Sequence, residues 1–123
     1  YSNSRAIVLG GCGVKNAGDI GILADRSSTI DAYNANASGA GTYGIYAISS
    51  STINASGANA SGAGDVGIFA SDGSTVNANG ANALDAVAYG IYVQNGSIIN
   101  AVGVTGSLNQ TANTAAVNGI IFQ

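Results

Sequence analysis

Histidine, proline, tryptophan and methionine are absent from this chain, and cysteine occurs once, at Cys12. Without histidine and with one thiol, a zinc or copper site has no ligand set and an internal disulfide framework has no second half. Charge is scarce. Arg5, Lys15 and Arg26 stand against six aspartates, for a net charge of −3. Nucleic-acid binding needs a basic stripe, and this balance argues against it. No apolar run approaches the ~18 residues of a membrane-spanning helix, and no signal-peptide pattern opens the chain. Disorder calls for low hydrophobicity and high charge, whereas 46% of these residues are apolar and 7% charged. At 123 residues, opening on Tyr1, the sequence reads as one domain and as a fragment of a longer fibrous protein.

What the chain has is periodicity. A glycine–isoleucine pair recurs at Gly21-Ile22, Gly44-Ile45, Gly67-Ile68 and Gly90-Ile91, every 23 residues. A second signature keeps the same phase: Ser28 to Ala32, Ser51 to Ala55, Ser74 to Ala78 and Ser97 to Ala101. A third follows at Ala35-Asn36-Ala37, Ala58-Asn59-Ala60, Ala81-Asn82-Ala83 and Val104-Thr105-Gly106. Near the start, Ile7, Cys12, Val14 and Ala17 fall where later repeats carry Ile30, Ala35, Ala37 and Ala40. Near the end, Gly119-Ile120 lies 29 residues after the fourth pair, which places an inserted loop within 107–118.

Each motif alternates with period two, which is a strand signal, and the glycines and β-branched residues speak against helix. Three short strands per repeat, joined by Gly, Ser, Asn and Asp turns, predict an all-β parallel solenoid. It has about five coils of 23 residues, stacked at ~4.8 Å. Parallel crossovers favour the right hand. Alternation points Ile22, Ile45, Ile68 and Ile91 inward, with Ala24, Ala47, Ala70 and Val93. Ile30, Ile53, Val76 and Ile99 follow, with Ala32, Ala55, Ala78 and Ala101, and the third strand gives Ala35, Ala58, Ala81 and Val104.

Opposite parity sends Leu23, Tyr46, Phe69 and Tyr92 outward as one stripe. Subunit interface, platform for sugar rings and ordinary core are its three readings. On the second strand the outward positions form a polar ladder: Thr29 and Asp31, Thr52 and Asn54, Thr75 and Asn77, then Asn100 beside Ile98. Spaced threonines on a solenoid are similar to ice-binding faces, while an amide ladder that ties coil to coil is the plainer reading. Asp19 and Asp65 are equivalent positions two coils apart, ~10 Å by strand spacing, within the range of a glycosidase pair. Both fall in turns, where aspartate serves local hydrogen bonding. No catalytic residue, metal or cofactor is assigned. Calcium has no aspartate ranks to bind, and the Asn-x-Ser/Thr triplets are expected from composition.

The run Gly41 to Gly64, "GTYGIYAISSSTINASGANASGAG", resembles the right-handed parallel β-helix repeats of bacteriophage tail-spike and neck-appendage proteins. That resemblance implies a homotrimeric fibre at the virion surface that binds bacterial surface polysaccharide and in some members degrades it. The implied role is a structural and host-recognition segment without membrane insertion. A glycan depolymerase with carboxylates between subunits is the enzymatic alternative. An ice-binding face or a bacterial adhesin is the alternative outside phage.

Overall fold

The computed structural model describes residues 5–7, 15–105, 114–117 and 119–122. All regular structure among them is β: β1 (Arg5–Ile7), β2 (Ile20–Ala24), β3 (Thr29–Asp31), β4 (Tyr43–Ala47), β5 (Thr52–Asn54), β6 (Val66–Ala70), β7 (Thr75–Asn77), β8 (Tyr89–Gln94), β9 (Ile98–Asn100), β10 (Thr114–Val117) and β11 (Ile120–Phe122). Among the described residues no helix is long and apolar enough to cross a membrane.

Every pairing is parallel, and the chain is a β-solenoid of about four turns, one fewer than the repeat count implies. One sheet has the order β1-β3-β5-β7-β9-β11 and the other β10-β8-β6-β4-β2. Register follows the repeat without slippage through the middle: Ile22, Ile45, Ile68 and Ile91 stack in one column. Ile30, Ile53, Val76 and Ile99 stack in another. All eight are buried, together with the expected alanines, Val93 and Val104. A one-residue slip would turn each column out to solvent, so burial itself fixes the register. Each aliphatic side chain so buried is worth about 1.5–3 kcal/mol.

The third wall is thinner than three full strands per coil. It consists of single parallel bridges, Asn36 to Asn59 to Asn82 to Thr105. The cause is local. Asn36, Asn59 and Asn82 each turn the side-chain oxygen back to accept the amide N–H two residues on, at 3.0 Å. That turn ends the strand after one pair, while the flanking alanines still point inward.

Three corners close each coil, and each rank of corner residues holds positive φ. Asn34, Gly57, Gly80 and Gly103 show the rule, with φ between 53° and 69°. Left-handed backbone suits glycine and asparagine, and the repeat supplies them there. Hydrogen bonds between coils continue through these corners, as in Asn34 N–H to the Ser56 carbonyl and Gly57 N–H to the Asn79 carbonyl, both 2.9 Å.

Both ends of the repeat depart from the expected register. Thr114 pairs with Ile91, 23 residues earlier, so β10 keeps the period inside the segment expected to be an inserted loop. Gly119-Ile120 is therefore not a fifth glycine–isoleucine pair. Ile120 pairs with Ile98, and Ile121 stands over Ile99 and packs on the core. Continuing the buried column decides the pairing. Residues 107–113 and 118 of that loop lie outside the described residues. At the start, Ala6 pairs with Ile30 and Ile7 with Asp31, a spacing of 24 rather than 23. Cys12 and Val14 also lie outside the described residues.

Candidate functional site

Two outer faces carry side chains that lie outside the interior cluster of the solenoid. Leu23, Tyr46, Phe69 and Tyr92 stand in register on the outside of β2, β4, β6 and β8, as alternation predicts. Their exposure differs. Leu23 is 45% exposed, Tyr46 and Tyr92 are half-buried, and Phe69 is 5% exposed. Phe69 is covered by its neighbours. Its ring stacks on Tyr46 at 4.5 Å and 5° and on Tyr92 at 5.0 Å and 16°. Both faces of this ring are thus occupied within the chain, and a sugar cannot stack on it.

Two further tyrosines complete the face. Tyr43 sets its ring at 63° and 66° to Tyr46 and Phe69, with centroids 4.9 Å and 5.2 Å away. Tyr89 stacks on Tyr92 at 5.0 Å. Strict alternation puts Tyr43 on the side of Ile45, and the glycine between them breaks it. A Cβ on Gly44 would meet the Gly67 carbonyl at 2.7 Å and the Ala60 Cβ at 2.8 Å, so this position turns toward the third wall. A glycine repeated inside a strand pattern marks such a close approach, and it was the available signal for these two tyrosines.

The five rings line an open groove of about 360 Å³ together with Asp65, Val66 and Gln94. Gln94 accepts from the Tyr92 hydroxyl at 3.0 Å and donates to the Ser71 hydroxyl at 3.2 Å. Asp65 is half-buried, and no described residue donates a hydrogen bond to its carboxylate. Burial, then Asp65, then Asp19 raise the Tyr43 phenol above the ordinary tyrosine value. Burial, Tyr43, Asp72 and Asp25 do the same at Tyr46. At both phenols burial is the larger cause and the carboxylates add to it. Asp19 and Asp65 do stack two coils apart, linked through Thr42 by backbone bonds of 2.8 Å and 2.9 Å. Only Asp65 of the two lines the groove, so this face brings together no acid–base pair.

The polar ladder lies on the other sheet. Thr29, Thr52 and Thr75 are exposed in register, and Ile98 ends the rank. Beside them Asn54 donates its amide to Asp31 at 3.0 Å and Asn100 donates to Asn77 at 3.2 Å. Asn54 also accepts from the Ser56 hydroxyl at 2.9 Å. These two bonds tie coil to coil and use one amide N–H each of Asn54 and Asn100. A buried rank that alternation did not single out lies between the sheets: the amides of Ser28, Ser51 and Ser74 donate to the hydroxyls of Ser51, Ser74 and Ser97 at 3.0–3.1 Å. Among the described residues no cluster of three metal-ligating side chains occurs. Comparison with protein-family models, with curated proteins and with solved structures gave no match.

Proposed function

We propose that the chain is a structural and host-recognition segment of a fibre of the bacteriophage tail-spike or appendage type, displayed at the virion surface, with the aromatic groove as its recognition surface. One observation carries this reading: five aromatic rings converge on one groove with a carboxylate and an amide, on a face the fold does not need for its interior. Ligand sites are concave and mostly aromatic, with a few polar groups that set orientation. The solenoid supports the same reading, because stacked coils hold these groups at fixed spacing and little ordering is lost on binding. Bacterial surface polysaccharide is the proposed partner, and the homotrimer expected of such fibres would present three grooves.

Retention of the purified chain on a panel of intact bacteria and on their extracted polysaccharides tests this. Retention on a subset of strains is expected, with loss in Tyr46→Asp and no release of reducing sugar. Equal retention on every strain, or on none, would overturn the recognition role. Light scattering on both proteins reports the second part. A trimer that survives Tyr46→Asp agrees with a groove open to ligand. A trimer that dissociates would instead make this face the subunit interface.

A further inference from the structure

The groove has a gap in it. Along its rim the register runs Tyr43, Val66, Tyr89, so two tyrosines stand two coils apart with a ringless residue between them. Two coil spacings are about 9.6 Å, which places the backbone of Val66 ~5 Å from the backbone of each tyrosine, and Tyr43 leans its ring toward the coil of Val66, 5.2 Å from Phe69. A cation held over an aromatic face is attracted within about 6 Å of the ring centroid. Val66, 2% exposed, forms the floor, and the Asp65 carboxylate stands immediately beside it in the chain.

The charges point the same way. No lysine or arginine lines this groove. Arg26 is 3.6 Å from Asp25, and Lys15 is the other described cation outside β1. Asp65 is half-buried without a described donor, so its charge lacks a partner that the chain itself supplies. Phenol rings, a free carboxylate and no cation form the complement of an alkylammonium group, whose methyls meet ring faces while its charge meets the carboxylate. An anionic or phosphorylated ligand would face uncompensated repulsion here.

Resting on the reading of this face as a recognition surface, we infer that the groove binds a quaternary ammonium group of the choline type, held between Tyr43 and Tyr89 with Asp65 as counter-ion. A host polymer substituted with such groups then presents them to a rigid slot. Acidic and neutral polymers lack the charge that the slot selects.

Choline is the probe, titrated into the full chain by calorimetry and by tyrosine fluorescence. Its neutral isostere, with carbon in place of nitrogen, is the control. Saturable choline binding is expected, with the isostere at least about tenfold weaker. Asp65→Asn keeps the shape of the groove and should weaken choline about tenfold, leaving the isostere unchanged. Tyr89→Val, which repeats the residue of the neighbouring coil, should weaken choline by a similar factor. Circular dichroism confirms that each variant is folded. Equal affinity for choline and isostere, or an unaltered Asp65→Asn titration, overturns the inference. Binding of a neutral oligosaccharide but not choline also overturns it while the recognition role stands. Failure of the recognition role shows separately, as absence of strain-dependent retention on cells.

Discussion

On their inner sides the two sheets are built alike, each with one column of large aliphatic residues and one of small ones. Outside they diverge. The sheet of β2, β4, β6 and β8 carries rings that stack on each other, and the sheet of β3, β5, β7 and β9 carries threonines and amides that bond from coil to coil. Both ladders use the same coil spacing, yet they use up their side chains differently. Amides on the polar face bond along the axis from Asn54 to Asp31 and from Asn100 to Asn77. Rings on the aromatic face stack on one another, but a carboxylate and a gap remain beside them. The interior records the demands of folding, and the difference between the exteriors is where function is to be sought.

The sharpest way to break this comparison is to remove one outward residue from each face. Phe69→Ala deletes a ring that is 5% exposed and packed on three others. A loss of about 3 kcal/mol in denaturant unfolding is expected. Thr75→Ala, at an exposed position on the other face, should stay within about 0.5 kcal/mol. Equal losses would mean that the two exteriors contribute alike and that the ring ladder is no extension of the core.

A smaller effect separates the faces by pH. Tyr43 and Tyr46 hold their protons above the ordinary tyrosine value of 10.0, chiefly through burial. A raised folded value means that the neutral phenol is favoured in the fold. This contribution is complete below pH 10 and is lost as pH climbs through the raised values. Thermal melts should therefore fall away above about pH 10, and Tyr43→Phe with Tyr46→Phe should flatten that limb. An unchanged limb in the double variant would assign the alkaline loss elsewhere.

These contrasts bear on how much of the molecule the sequence discloses. The aliphatic columns were legible, because packing demands the same residue class at the same place in each coil and Ile22 to Ile91 repeat without exception, whereas the buried rank of Ser51, Ser74 and Ser97 was not. The outward stripe was legible as a stripe, but the cover over Phe69 was not. To the stacking of Tyr46 and Tyr92, which belong to the stripe itself, Tyr43 adds an edge contact at 5.2 Å, and strict alternation sends Tyr43 inward until Gly44 is recognised as facing the third wall. The terminal register was misread for a related reason. A glycine–isoleucine pair at 119–120 matches one motif by residue type, while the pairing obeys the buried column of Ile99 and Ile121. The groove itself was not legible at all, since it depends on Val66 lying between two tyrosines from different coils.

On the polar face a charge change is the corresponding probe. Asn54→Asp replaces the amide that donates to Asp31 with a second carboxylate at 3.0 Å. Directly opposed like charges on neighbouring strands are destabilising. A loss of about 1 kcal/mol at neutral pH is expected, relieved by salt or by acid. Loss that persists at low pH would show that the missing amide donation to Asp31, rather than repulsion between the carboxylates, is what matters there.

The smallest effect lies at the corner that joins the two faces. Arg26-Ser27, Ser49-Ser50, Asp72-Gly73 and Asn95-Gly96 occupy one rank, and all eight residues have positive φ. The later coils place glycine second in the pair, and the earlier coils place serine there. Serine at φ 60° pays a steric cost that glycine avoids, though glycine also gains freedom in the unfolded chain. Ser50→Gly should therefore stabilise by only about 0.5 kcal/mol, read as a higher denaturation midpoint at unchanged slope. Because this corner lies outside both ladders, the gain should add to the effects of Phe69→Ala and Asn54→Asp. Strong coupling with either would show that the two faces are not independent, and that the corner transmits strain from one to the other.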